Sequence, residues 1–409
     1  MPVLVARQPV FSAHGELWGY ELLFRSGGNG CTDAGANVAP SGGDAATSTV
    51  IVDGFELVRP VLQAGQRVLI NFDTALLLND IAMVLPPEIC VVEILEHVQP
   101  TRDIIEAVHR LKAQGYLVAL DDYIGDAHAT AFLPLADIVK VEVLGRSEAD
   151  IMRDVAMLRR YRCQLLAEKV EDHAMHGLCK VLGFDLYQGF FFSKPELVKG
   201  KTLSVGQAVK MRLLSELSRE DFELRKAADT IRADVALSFR LLRYINSVHF
   251  GLAVKVTSLE NAVALLGTRK LVQWLCVTVL ATMETTPVSR ELVVTSALRG
   301  KFLEQLRIRA PRGPAAQTLF LAGLFSLLDA LFAVSAESLL QSMPLADELV
   351  QVLTDGTGPL APWLAFVHAH ERGDWEAVEQ LGVILGLDAD AIARSYAEAL
   401  QWTGAFHGS

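Results

Sequence analysis

The sequence predicts an α/β barrel of TIM-like type followed by an all-α helical bundle, and three observations carry that expectation. Six short apolar runs between residues 67 and 188 each end in a polar residue and lead into a turn and an amphipathic stretch. Strand-like runs then vanish after Pro195, and from about residue 203 apolar side chains recur at helical spacing. The six runs are RVLIN ending at Asn71, ICVVE at Glu93, YLVALDD at Asp121 and Asp122, DIVK at Lys140, QLLAE at Glu168 and FDLYQ at Gln188. An earlier run, LWGYELLFR, alternates in the same manner and carries Glu21 and Arg25, giving about seven strands in some 200 residues. Parallel strands joined by crossovers gather such tips at one rim, the face where barrels of this kind place their chemistry. Residues 39 to 46 (APSGGDAA) read as a flexible loop before a helix predicted over Val50 to Leu62.

The second half contains VGQAVKMRLLSELS, ADVALSFRLLRYINS, SLENAVALLG and DAIARSYAEALQW, all with helical periodicity. About ten helices are expected there at ordinary helix length. The boundary falls near residue 200, dividing the chain into 1–202 and 203–409.

Composition narrows the function classes. The chain has 409 residues, 51% of them hydrophobic and 21% charged, enough for two well-buried domains. Net charge is −11, with 18 basic against 26 acidic residues up to position 203 and 19 against 22 beyond it. A nucleic-acid surface needs clustered cations, and the densest cluster, Arg159, Arg160 and Arg162, reads as an exposed helix end; neither DNA nor RNA is expected as a partner. The five cysteines form no C-x-x-C pair, which points to reduced thiols in the cytoplasm. The opening MPVLVARQPVF lacks a charged leader with a long apolar core, and the most apolar stretch, Leu319 to Val334, contains Asp329, so no membrane association is expected.

The strand tips assemble Glu21, Asn71, Glu93, Asp121, Asp122 and Glu168 beside Arg25, Lys140 and Gln188. Carboxylates converging on one rim repel unless cations sit among them, and hard ions such as Mg²⁺ or Mn²⁺ prefer this all-oxygen set. The pair Asp121 and Asp122 could serve two ions, which together activate a water and clamp a phosphoryl group. Arg25 suits a phosphate oxygen and Lys140 a point charge near the attacking water, so phosphodiester hydrolysis is the implied chemistry.

These residues lie in blocks that resemble the EAL domain, the family that binds and linearises the bacterial second messenger cyclic di-GMP. Glu21 to Arg25 (ELLFR) is similar to its E-x-L-x-R signature. Asn71 in INFD, EILE from Glu93 to Glu96, LDDY at Asp121 and Asp122, VKVE at Lys140, AEKVE from Ala167 to Glu171 and QGFFFSKP from Gln188 to Pro195 follow in the family's order. The resemblance implies that Glu21, Asn71, Glu93, Asp121, Asp122 and Glu168 ligate metal, with Glu168 and Lys140 acting on the water. It further implies that Arg25, Gln188 and Leu23 contact ligand and that Glu96 and Glu171 brace the site. Where active members continue D-D-F-G-T-G-Y-S, this chain reads DDYIGDAH, and Glu142 stands where they carry Asp. That departure implies ligand binding with weak or lost hydrolysis; an active phosphodiesterase yielding pGpG and a nucleotide-independent scaffold remain the alternatives.

The second half resembles the HDOD module, a relative of HD phosphohydrolases, through LLRYINS (Leu241 to Ser247), the HFG that follows and SLENAVALLG. No histidine is followed by aspartate, and Ser326 and Leu327 in GLFSLLD stand where the hydrolases place that pair, so no catalysis is expected there. His249 reads as structural or partner-contacting. His368 and His370 read as solvent-exposed, and Trp274, Trp363, Trp375 and Trp402 as packing residues. The implied role is contact with a signalling protein partner, with homodimerisation left open.

Overall fold

The computed structural model describes residues 3–26, 44–123, 127–194, 203–219, 222, 228, 231–232, 234–247, 255–282, 286–340, 343 and 345–407. Two compact units divide the chain: residues 1–194 with 369–379, and residues 195–368 with 380–409.

The first unit holds a closed barrel of eight strands in sequence order: β1 (Val3–Ser12), β2 (Leu17–Ser26), β3 (Arg67–Phe72), β4 (Cys90–Ile94), β5 (Leu117–Leu120), β6 (Ile138–Glu142), β7 (Gln164–Glu168) and β8 (Leu186–Gln188). The expected α/β barrel is therefore borne out, with one correction. VLVARQPVFS forms an eighth strand that runs antiparallel to both β2 and β8, while every other neighbouring pair is parallel. A short turn at Ala13 to Glu16 permits this hairpin, because antiparallel strands need no crossover.

Six helices alternate with the strands: α1 (Asp44–Val58), α2 (Thr74–Leu78), α3 (Arg102–Ala113), α4 (Ala127–Phe132), α5 (Glu148–Leu158) and α6 (His173–Leu182). Side chains of Asp73, Thr101, Ser147 and Asp172 accept the backbone N–H three residues on and so cap α2, α3, α5 and α6. The loop expected over 39–46 yields to α1 from Asp44 onward; positions 39–43 lie outside the described residues. Arg159, expected to be an exposed helix end, donates to the carbonyls of Leu182 and Gly183 and closes the C-terminus of α6.

The barrel interior explains how the tips are aimed. Val10, Leu69, Val91, Ala119, Ile138, Leu166 and Leu186 form one buried layer, none more than 1% exposed. Alternation with period two puts Asn71, Glu93, Asp121, Lys140, Glu168 and Gln188, each two residues beyond a member of that layer, on the same inward face at the C-terminal rim. Strand β1 runs the other way, so Gln8, two residues before Val10, reaches the same rim, and it pairs in register with Glu21.

The described remainder of the chain is helical: α7 (Val205–Leu217), α8 (Val235–Ile245), α9 (Leu259–Ala281), α10 (Pro287–Arg309), α11 (Ala316–Phe325), α12 (Leu328–Phe332), α13 (Ala336–Leu340), α14 (Asp347–Asp355), α15 (Ala361–Arg372), α16 (Trp375–Leu385) and α17 (Ala389–His407). Helices α10 and α11 approach so closely that a Cβ on Gly323 would lie 2.4 Å from the backbone nitrogen of Gly300. Buried Glu304 is held by Arg269, by Gln273 at 2.7 Å and by Lys301 at 2.7 Å, which ties α9 to α10. Asn246 donates to the carbonyl of Val256 at 2.7 Å and accepts from its N–H at 2.8 Å, a structural clamp within the LLRYINS block. His249 lies outside the described residues. Trp274, Trp363 and Trp402 are buried, as expected of packing residues.

His370 contradicts its expectation: it is 1% exposed, packed edge-on against Trp375 with ring centroids 5.4 Å apart. The i, i+2 spacing does turn His368 and His370 apart, and for His370 the direction is inward. Helix α9, rather than the stretch at 319–334, is long and apolar enough to cross a membrane by length and composition, and 67% of its most apolar window is buried within the protein.

Candidate active site

At the barrel mouth the Lys140 ammonium sits among four carboxylates. Its Nζ lies 3.2 Å from Glu21 Oε2, 2.9 Å from Asp121 Oδ1 and 2.8 Å from Glu168 Oε1, and it also bonds Glu93 Oε1. Lys140 and Glu93 are essentially inaccessible and Glu21 nearly so. Glu21 accepts in addition from Gln188 Nε2 at 2.6 Å and from Asn71 Nδ2 at 3.4 Å, while Gln188 Nε2 is shared with Gln8 Oε1 at 2.8 Å. Gln8 is the member that sequence reasoning missed. Its signal was the alternation in VARQPVF, legible only once β1 is read as a strand.

One ammonium does not balance four carboxylates. Burial pushes Glu93 and Glu168 well above the usual carboxylate range, against the pull of Lys140. Burial also opposes ionisation of Asp121, yet Lys140 beside it holds that carboxyl below its ordinary value. For Lys140 burial disfavours the charge, but Asp121, Glu168, Glu21 and Glu93 outweigh it and keep the amine protonated well above the ordinary lysine value. Asp122 is raised by burial and by Asp121.

The donor set fits a divalent cation. Asn71 Oδ1, Glu93 Oε2 and Glu168 Oε2 are buried oxygens with no hydrogen-bond partner, a costly condition that a hard cation relieves. Carboxylate oxygens of Glu96, Asp121 and Asp122 form a second group within 4.8 Å of one another. Asp122 (φ 41°) and Lys169 (φ 53°), at the tips of β5 and β7, adopt left-handed backbone conformations that are uncommon for residues other than glycine. Lys169 pairs with Glu142 at 2.6 Å.

The remaining predicted residues are placed as follows. Leu23 lies between Glu21 and Arg25 on the same strand face and is buried. Glu171 pairs with Lys194 at 2.9 Å, so it joins the loop after β7 to the segment after β8. Gly189, directly after Gln188, has φ 143°, and a Cβ there would meet the Val170 carbonyl oxygen at 2.3 Å. Arg25 donates through Nη1 to the Trp375 carbonyl at 2.6 Å and through Nη2 to Glu379 Oε2 at 2.8 Å. Ile124, Gly125 and Asp126, the centre of the altered DDYIGDAH segment, lie outside the described residues.

In the helical unit Ser326 accepts from Arg299 Nη1 at 2.9 Å and donates to the Gly323 carbonyl at 2.8 Å, while Leu327 is buried. A serine hydroxyl held by an arginine and a buried apolar side chain thus occupy positions 326 and 327.

Residues 4–195 match the EAL domain and residues 204–340 the HDOD domain. The chain is 34% identical over 402 residues to the cyclic di-GMP phosphodiesterase CdgJ of Vibrio cholerae, covering 98% of this chain and 92% of that one. It is 30% identical over 413 residues to the uncharacterized protein YuxH of Bacillus subtilis, covering 98% of each. Among solved structures it is similar to the Bacillus subtilis YkuI protein, with an EAL domain, in complex with substrate c-di-GMP and calcium, at a TM-score of 0.39 and 18% identity, covering 64% of this chain and 71% of that one. With both domain matches in this order and relatives aligned along nearly its whole length, the chain belongs to the EAL–HDOD family.

Proposed function

We propose that the barrel mouth binds cyclic di-GMP together with divalent metal and hydrolyses one of its phosphodiester bonds, and that the helical unit carries a protein-interaction output. The observation that carries this reading is the set of three unpartnered buried oxygens, Asn71 Oδ1, Glu93 Oε2 and Glu168 Oε2, on one inward rim beside Glu21 and Asp121. Support also comes from the name of the full-length relative, a cyclic di-GMP phosphodiesterase.

Glu21, Asn71, Glu93, Asp121 and Glu168 would hold one Mg²⁺ or Mn²⁺, and Asp121, Asp122 and Glu96 would offer oxygens to a second. When bound, such ions supply Lewis acidity and a water of lowered pKa. The protein's own part is to position and to handle protons. Arg25 presents a planar fork matched to two phosphate oxygens. Gln188, fixed through Nε2 by Gln8 and Glu21, offers its unpartnered Oε1 to the ligand. Glu168 accepts the water's proton, and Lys140 holds the carboxylates in register. Water adds its oxygen to phosphorus, the P–O3′ bond breaks, and a proton passes to the leaving 3′ oxygen, giving linear pGpG.

A second reading, recognition with weak or no turnover, is favoured by DDYIGDAH in place of the active pattern. Chromatography of nucleotide after incubation with Mn²⁺ decides between them. Linear product that disappears in Glu21→Ala supports hydrolysis, and calorimetric binding in Ca²⁺ with no product in Mn²⁺ supports the sensor. Absence of binding at high micromolar cyclic di-GMP defeats both.

A further inference from the structure

Residues 369–379 belong to the barrel's compact unit and meet it at the ligand rim. Both Nη atoms of Arg25 are engaged there, one by the Trp375 carbonyl and the other by the Glu379 carboxylate. Gln8 Nε2 donates to the Glu371 carbonyl at 3.1 Å, and the Arg372 guanidinium lies 5.1 Å from the Phe190 ring centroid. Three groups of the rim, Gln8, Arg25 and Phe190, thus make an interaction surface whose occupant is a segment of the same chain.

We infer that residues 369–379 compete with the dinucleotide for Arg25, so that ligand binding and attachment of this segment to Arg25 are mutually exclusive. The inference rests on the reading that the mouth binds cyclic di-GMP. A guanidinium donates to a carboxylate and to a phosphate alike, and here Nη2 donates to the Glu379 carboxylate. One fork cannot serve both partners at once. The contact is also suited to being displaced: Arg25 is 24% and Glu379 64% exposed, and exposed pairs of this kind are weak. The Trp375 indole Nε1 is buried without a hydrogen-bond partner, which further lowers the cost of letting the segment go. Linkage makes the effect reciprocal: whatever frees 369–379 raises affinity at the mouth, and ligand at the mouth frees 369–379.

The test uses the full chain, cyclic di-GMP and Ca²⁺. Glu379→Ala is expected to bind about two- to fivefold more tightly than the unmodified protein, the range an exposed ion pair supports. In the unmodified protein, amide hydrogen exchange across 369–379 is expected to accelerate when ligand is added; this readout needs no variant. Equal affinities together with unchanged exchange would overturn the inference while leaving the binding reading intact. Binding by neither protein would overturn the reading and the inference with it.

Discussion

Lys140 Nζ lies 2.8 Å from Glu168 Oε1, and the same ammonium also contacts Glu21, Glu93 and Asp121. Removing the cation leaves buried carboxyls facing one another. Lys140→Met is therefore expected to lose about 3–5 kcal/mol of stability in chelator, and Mn²⁺ is expected to restore part of it. Urea unfolding with and without metal measures both. An unchanged midpoint in chelator would refute the balancing role.

Arg25→Ala should weaken cyclic di-GMP binding by about 1.5–3 kcal/mol, the worth of a charge-assisted phosphate contact. The lower end is expected in the full chain, because the variant also loses the hold of Trp375 and Glu379 on the rim. Calorimetry in Ca²⁺ reads the loss, and unchanged affinity would remove Arg25 from the ligand contacts.

Burial lowers His370 from 6.5 to about 4, so the folded protein resists protonating it. The unfolded chain binds that proton near pH 6.5 and the folded chain only near 4. Stability from this group is complete above 6.5 and is lost as pH falls through that window, about 3 kcal/mol in all. His370→Phe should flatten the fall of stability between pH 6.5 and 4 relative to the unmodified protein. Parallel pH profiles for the two would show that His370 does not titrate as described.

Gly323→Ala should cost about 1–3 kcal/mol or more, since its methyl group would press on the Gly300 backbone and push α10 from α11. Thermal unfolding reads the change. Barrel chemistry should survive wherever the protein still folds.

Much of the barrel was legible because period two and strand tips are local features: RVLIN, ICVVE and QLLAE each announce an inward apolar residue and, two positions on, a polar one at the rim. The β1 strand was not, because VLVARQPVF presents Arg7 and Gln8 within an apolar run, and only the hairpin with β2 shows that Gln8 belongs to the rim. Lys140 was legible as a site residue, but its central position among four carboxylates depends on strand register, which spacing does not encode. The attachment of 369–379 to Arg25 joins positions about 350 residues apart in sequence, and no periodic pattern marks it.

The seam where β1 meets β8 has a consequence for how this protein acquires its chemistry. Gln8, Glu21 and Gln188 are linked across that seam, so the first and last strands must zip together before the mouth has a complete lining. A chain missing its opening dozen residues would keep seven of its eight inward acid, amide and lysine tips, yet its sheet would have two raw edges and an interior open to water, and the buried acids would lose the surroundings that perturb them.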